Sequence, residues 1–247
     1  MEKVIRELKG HSGSKIYLMK NDLRFFVRKV DNISRNLERL SKLSGVVSVP
    51  KVYRTETDTI DMEYVHGLDM KTYLTYNNPN RLIDFLLDSV SILEHNTYSY
   101  KDYTETYFKK LSSVNWNLLS FHKDDMVARL PKVLPQTNYL GDLTLENIIF
   151  DIKHDRFVFI DPITSEYDSF VFDLAKLNQD LVCKWFIRKT TSNIGSVLLS
   201  IREGLAERYD KYVRDDNLTI LMLLRVLPYC QTQFDRDFIL SEVKRLW

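Results

Sequence analysis

The stretch that decides the fold runs Leu140-Gly141-Asp142-Leu143-Thr144-Leu145-Glu146-Asn147-Ile148-Ile149 and closes, one hairpin later, on Ile160-Asp161-Pro162. Asp142 and Asn147 stand five apart in a loop that enters a strand. Ile148-Ile149-Phe150 and Phe157-Val158-Phe159-Ile160, joined by Lys153-His154-Asp155, predict a small hairpin that returns Asp161 toward that loop. A carboxylate, an amide oxygen and a second carboxylate then converge. Phosphoryl transfer needs such a set: one carboxylate to orient a hydroxyl nucleophile and accept its proton, and two oxygen ligands for magnesium. Any one of the three alone is better read as a turn or helix cap. Together at this spacing they favour chemistry.

Working outward, the pattern changes near residue 67. Before it, short runs at 15–19, 23–30, 52–55 and 59–65 read as strands, and 33–43 carries Ile33, Leu37, Leu40 and Leu43 at helical spacing. After it, helical periodicity dominates, at 81–94, 103–111, 173–188, 192–212, 217–227 and 235–246. The expected class is α+β, with two lobes: residues 1–66 as a five-stranded lobe holding one helix, and 67–247 as a helical lobe.

Composition narrows the function. The 247 residues carry 35 Lys and Arg against 34 Asp and Glu, a formal charge of +1, so no global field favours nucleic acid or an anionic membrane. A hydrophobic fraction of 44% with 3 Trp, 14 Tyr and 13 Phe excludes disorder. Cys183 and Cys230 make neither a disulfide framework nor a zinc site with the five scattered His residues, and a reducing, cytoplasmic setting is expected. The longest apolar run, 218–230, contains Arg225 and falls short of the roughly 20 residues that cross a bilayer. No Ser or Cys sits in a nucleophile elbow. Tyr98, Tyr100, Tyr103, Tyr107 and Phe108 are expected to pack in the core rather than stack on a ligand.

The first lobe holds further polar signals. Gly10-His11-Ser12-Gly13-Ser14 is small enough to bring backbone N–H groups close to phosphate oxygens. Lys29 shares a strand face with Leu23, Phe25 and Val27, and an inward lysine needs an anionic partner; Arg28, next door, is its rival.

These strings resemble the aminoglycoside phosphotransferase and choline kinase-like family, whose fold is protein-kinase-like. There the catalytic loop reads His-Gly-Asp, four residues and Asn, followed by Ile-Asp and later Asp-Leu-Ala. This chain has Gly141-Asp142, four residues, Asn147, then Ile160-Asp161 and Asp173-Leu174-Ala175. The resemblance implies Asp142 as catalytic base, Asn147 and Asp161 as Mg2+ ligands, and Asp173 as a structural residue at a helix start. It also implies that Gly10, Gly13 and Ser14 form the phosphate loop, and that Lys29 is the α/β-phosphate lysine with Glu38 as its ion-pair partner. Thr59 to Gly67 resembles the last small-lobe strand and hinge, with main-chain contacts to adenine from Glu63 to Val65 and Met62 as gatekeeper. Leu140 departs from the family's His and puts the loop's bracing in question.

The activity implied is ATP- or GTP-dependent phosphorylation of a small-molecule hydroxyl. Arg-Lys-Val, Met-Glu-Tyr-Val and Asp-Leu-Thr-Leu-Glu-Asn are also similar to strings in phosphotransferase-like proteins of bacterial surface-polysaccharide gene clusters, pointing to a sugar or polysaccharide precursor. A protein kinase fits less well: 11 residues separate Asp161 from Asp173, no Ala-Pro-Glu follows, and no Arg precedes Asp142. A nucleotide-binding pseudokinase used as an interaction module is the other alternative. Oligomeric state and acceptor identity are left open.

Overall fold

A computed structural model describes residues 2–8, 14–31 and 33–247. The small lobe is an antiparallel sheet of β1 (Lys3–Leu8), β2 (Lys15–Lys20), β3 (Phe25–Val30), β4 (Val52–Glu56) and β5 (Thr59–Glu63), in the order β1-β2-β3-β5-β4. Helix α1 (Ser34–Leu43) connects β3 to β4 and buries Asn36, Arg39, Leu40 and Leu43. Strand β1 has no hydrophobic alternation to announce it, because it is a charged edge strand almost wholly exposed. Lys, Arg and Glu along a sheet edge suppress pairing with other chains. The phosphate loop expected at Gly10 and Gly13 lies outside the described residues; Ser14 is buried just ahead of β2.

The second lobe begins with β6 (Gly67–Asp69), then α2 (Met70–Tyr76) and α3 (Asn80–His95). Next come β7 (Ser99–Asp102), α4 (Thr104–Lys110), α5 (Lys123–Arg129) and β8 (Val133–Gln136). The expected hairpin is β9 (Ile148–Asp151) and β10 (Arg156–Phe159), antiparallel in register Phe157↔Phe150. Strand β6 pairs with β9, so the residues just after the hinge are stitched directly to the hairpin that carries Asp161. Helices α6 (Phe170–Leu181), α7 (Gly195–Val213), α8 (Asp216–Val226) and α9 (Gln233–Leu246) complete the lobe. The helix expected over 173–188 starts earlier, capped by Ser169, and is broken at Lys184, whose φ of 58° is left-handed. Ahead of it the chain turns into a 3-10 segment, Trp185–Ile187.

One core runs through this lobe. Leu174, Ala175 and Leu177 of α6 pack among Leu198 and Ile201 of α7 and Ile220, Leu221 and Leu224 of α8, all of them buried. Of the aromatic stretch, Tyr103 and Tyr107 are fully buried, Tyr107 donating to Pro131 O at 2.8 Å, while Tyr98 and Tyr100 are exposed. Core packing accounts for Tyr103, Tyr107 and, in part, Phe108, but the expectation fails at Tyr98 and Tyr100, which face outward from the strand and turn ahead of the helix.

Gly67 shows how close the β6–β9 pairing is. A Cβ on residue 67 would lie 1.8 Å from the carbonyl oxygen of Phe150, with backbone rather than a movable side chain in the way. Gly67→Ala is expected to cost about 2 kcal/mol or more and to lower Tm by roughly 4–8 °C. Gly45→Asn, at a left-handed position with open space around it, is expected to change Tm little. Equal melting curves for Gly67→Ala and the parent chain would contradict the close pairing.

Candidate functional site

Between the lobes lies a cleft of about 780 Å³ whose walls include Lys29, Met62, Glu63, Val65, Asp142, Asn147 and Asp161. The hairpin does return Asp161 to the loop: Ile160 donates its N–H to Asn147 O at 2.8 Å. Asp161 itself sits at φ 56°, a left-handed conformation that Asp tolerates better than most residues. Its Oδ1 accepts from Lys29 Nζ at 2.7 Å and from Asn36 Nδ2 at 2.9 Å. Asn147 turns its Nδ2 to Asp142, donating to the backbone oxygen at 2.9 Å and to Oδ2 at 3.0 Å. Asp142, Asn147, Asp161 and Lys29 therefore meet in one place.

Lys29 is 1% exposed, the most deeply buried cation among the described residues of the small lobe. Arg28 points to the other face of the sheet, where Asp61 takes its Nε and Nη2 at 2.7 Å each. Alternation along β3 separates the two side chains, and Lys29 is the one that enters the cleft.

Glu38 is corrected. It is exposed, bonded to Lys42 Nζ at 2.7 Å and to Thr164 Oγ1 at 2.9 Å, and makes no contact with Lys29. The place expected for it is taken by Asn36, whose Oδ1 accepts from Lys29 Nζ at 2.8 Å and whose Nδ2 also reaches Pro162 O at 2.8 Å. Two helical residues turn through roughly 200°, so a side chain two positions beyond Asn36 faces away from the sheet. Selecting acids on α1 as the only possible partner for Lys29 missed a neutral amide that can accept from Lys29 and donate to Asp161 at once.

The loop is braced from below by α6, where Asp173, expected as a structural residue, is joined by two further charged residues. Asp173, Lys176 and Asp180 are spaced three and four apart and so line one face of that helix. Asp173 accepts from the N–H groups of Leu140 at 2.6 Å and Gly141 at 2.8 Å. Lys176 Nζ lies 3.3 Å from Asp142 Oδ1, and Asp180 accepts from Leu145 N at 2.7 Å. Leu140 is 3% exposed, packed in the core, so the His of the family pattern has no polar role to fill there. Rigidity comes from main-chain bonds to Asp173, and from Arg39 of α1, whose guanidinium stacks over Tyr139 and donates to Asn138. Gly141, at φ 85°, admits no side chain: a Cβ would lie 1.9 Å from Ile163 O.

At the hinge, Glu63 pairs through Oε1 with Arg156 Nη2 at 2.9 Å and accepts Lys51 N at 3.2 Å through Oε2. Its side chain is thus committed to the hairpin, leaving the main chain of 63–65 along the cleft. Glu63, Asp151 and His154 also lie close enough together to hold a cation, but Arg156 reaches both carboxylates and His154 bonds Asp151 at 2.7 Å. That cluster is an ion-pair network joining the lobes.

No protein-family model and no curated protein matches this sequence. Solved structures do. A thermostable mutant of aminoglycoside phosphotransferase APH(4)-Ia, in ternary complex with AMP-PNP and hygromycin B, aligns over 99% of this chain and 94% of its own, with TM-score 0.68 and 11% identity. An ethanolamine kinase of Plasmodium vivax aligns over 100% and 81%, with TM-score 0.61 and 14% identity. This chain has the protein-kinase-like fold. A putative fructosamine-3-kinase from Haemophilus somnus 129PT shares it, over 99% and 92%, with TM-score 0.64 and 15% identity. The α+β, two-lobed architecture read from the sequence is the observed one.

Two predictions come from this geometry. Asn36→Ala should weaken AMP-PNP binding and Glu38→Ala should not, measured by calorimetric titration; the reverse order would restore Glu38 as the partner of Lys29. The second concerns pH. Burial pushes the carboxyls of Asp173 and Asp180 up to about 7 against their amide donors. The fold then binds more protons than the unfolded chain between roughly pH 4 and 7, and stability declines as pH rises through that window. Glu166, drawn down to about 2 by Lys109 and Lys110, loses its contribution only at more acid pH. Urea unfolding should therefore give a smaller free energy at pH 7.5 than at pH 5, with Asp180→Asn flattening the slope. A rise across the same interval, unchanged in the variant, would show both carboxyls ionised throughout.

Proposed function

We propose that the protein transfers the terminal phosphoryl group of ATP, or of GTP, to a hydroxyl of a small molecule, a sugar or polysaccharide precursor, in a reducing, cytoplasmic compartment. The observation that carries this reading is the meeting of Asp142, Asn147, Asp161 and Lys29 in one interlobe cleft. No helix of the described residues is long and apolar enough to cross a membrane, which suits a reaction with a dissolved acceptor.

Each residue has a chemical task. Lys29, held by Asn36 and Asp161, offers a buried ammonium to the α- and β-phosphates. Met62 is taken as the residue that bounds adenine, with main-chain groups of Glu63 and Val65, all three on the cleft wall, as its contacts, and Gly10, Gly13 and Ser14 are assigned to the phosphates. The donor set fits Mg2+: among the described residues Asn147 spends its nitrogen on Asp142 and its Oδ1 meets no donor, and of the Asp161 oxygens only Oδ1 is engaged. One amide oxygen and one carboxylate oxygen match the preference of a hard cation. When bound there, Mg2+ would neutralise charge on the β- and γ-phosphates.

Asp142 takes the acceptor. Its carboxylate is fixed by Asn147 on one oxygen and Lys176 on the other, so it presents a defined edge to the incoming hydroxyl. The acceptor oxygen bonds to the γ-phosphorus as the bond to the bridging oxygen breaks. The bridging oxygen keeps the electron pair in ADP or GDP, and the hydroxyl proton passes to Asp142.

Asp142→Asn separates binding from chemistry. It keeps volume but removes the base, so ADP release with an acceptor should fall about 10²- to 10⁴-fold while AMP-PNP affinity stays within a few fold. Undiminished ADP release in that variant would remove Asp142 from the mechanism.

A further inference from the structure

The cleft wall carries four cations and five acids, and nearly all of them are spent on one another. Lys29 pairs with Asp161 and Lys176 with Asp142, while Asp235 accepts from Arg188 Nε at 2.7 Å and from Lys189 Nζ at 2.6 Å. Glu63 is answered by Arg156. Among the described residues, Glu146 is the one charged group on this wall without an ion pair, and it is exposed. A charged acceptor would have to break a pair already made or leave its own charge uncompensated, and either is costly once water is excluded.

The unengaged groups on the wall are of another kind. Tyr229, in the turn after α8, is 77% exposed; among the described residues its ring meets no other ring or cation and its hydroxyl makes no hydrogen bond. The Trp185 indole N–H and the Thr144 hydroxyl have no partner there either, and neither atom is sealed inside the protein. Gln231, exposed, adds a free side-chain amide. These groups are tied to the loop that carries Asp142. Asp180 of α6 is fully buried and serves both sides, its Oδ2 accepting from Leu145 N at 2.7 Å and its Oδ1 from Phe186 N at 3.1 Å. Thr144 and Trp185 are the residues just before those two amides. Arg188 fixes Trp185 further, its guanidinium over the ring at 3.5 Å from the centroid and its Nη1 donating to the Trp185 carbonyl oxygen at 2.7 Å.

We propose that this part of the wall is the acceptor subsite and that it takes an uncharged polyhydroxy ring, an unmodified sugar, whose C–H face lies on Tyr229 while its hydroxyls meet Thr144, Trp185 and Gln231. This rests on the phosphotransferase reading and narrows its acceptor to a neutral sugar over an amino sugar, a sugar acid or a sugar phosphate. An exposed aromatic face beside a few neutral donors and acceptors suits a ligand that is apolar on one side and hydroxylated at its rim. Charges already paired with one another give it nothing to repel and nothing to leave unmatched.

The test titrates the full chain, with AMP-PNP and Mg2+ present, against the neutral sugars glucose, galactose, mannose and ribose, the charged forms glucosamine, glucuronate and glucose 6-phosphate, and open-chain glucitol as a control for the ring. Binding is read by calorimetry, and ADP release is read separately with ATP. The tightest neutral sugar should bind about tenfold or more tightly than any charged member and than glucitol. Tyr229→Ala should weaken that sugar about tenfold, the scale of one lost aromatic contact, and Tyr229→Phe should keep most of the affinity. Thr144→Val, which keeps the shape and removes the hydroxyl, should weaken it several-fold. Position 229 is exposed, so its variants fold even where a change at Trp185 does not.

Tightest binding by a charged member or by glucitol, no sugar binding at all, or neutral-sugar binding undiminished in Tyr229→Ala would overturn the proposal. Neutral-sugar binding that needs Tyr229, without ADP release, would uphold this subsite and sink phosphotransfer. ADP release driven by a charged member and unchanged in Tyr229→Ala would do the reverse.

Discussion

Everything about the cleft depends on one buried ammonium. Lys29 leaves the small-lobe sheet, is removed from water, and is met by an amide oxygen from α1 and a carboxylate oxygen from the end of the β9–β10 hairpin. A charge so placed must be compensated and hydrogen-bonded. The lysine and its two partners come from three separate parts of the chain. Satisfying the lysine therefore fixes the sheet, α1 and Asp161 against one another, and Asn36 closes the triangle by donating to Asp161. This pairing holds a cation and a carboxylate in fixed relation on the wall of the cleft.

The second constraint comes from below. Helix α6 sets Asp173, Lys176 and Asp180 along a single face, and the loop 140–147 is laid over that face. Buried carboxyls accept from three loop N–H groups, so the loop's backbone donors are satisfied and its shape follows the helix. Asp142 projects where the two constraints meet, with Lys176 on one side and Asn147 on the other. Bracing by main-chain bonds also explains why an apolar Leu140 is tolerated: the position faces the core, and the rigidity needed at Asp142 is supplied by Asp173.

Much of this was legible in the residues. Period-two alternation marked β2 to β5, period 3.6 marked α1, α3, α4 and α6 to α9 but not the two-turn helices α2 and α5, and the spacing of Asp142, Asn147 and Asp161 marked the loop and hairpin that bring them together. What escaped had physical reasons. Strand β1 is charged on both faces, so no alternation betrays it, and β6 is too short to show a pattern. Asn36 escaped because a buried lysine was expected to seek a full negative charge on the adjacent helix, whereas that charge comes from Asp161, 132 positions away, and the helix supplies an amide. The α6 stripe was visible as Asp-x-x-Lys-x-x-x-Asp but has meaning only once the loop lies across it.

The central claim is that Asp161, presented by the hairpin to the buried Lys29, completes a metal-dependent nucleotide site. The most direct measurement is the melting temperature with and without AMP-PNP, in Mg2+ and in EDTA, for the parent chain and for Asp161→Asn, each against its own nucleotide-free control. A ligand at a hundred times its Kd adds about 2.7 kcal/mol, which for a chain of this size is roughly 5–10 °C. The account predicts such a rise in the parent chain with Mg2+, a smaller one in EDTA, and no difference between the two conditions in Asp161→Asn. A nucleotide-induced shift that is the same with and without Mg2+ in the parent chain, or a Mg2+-dependent shift that survives in Asp161→Asn, would contradict it.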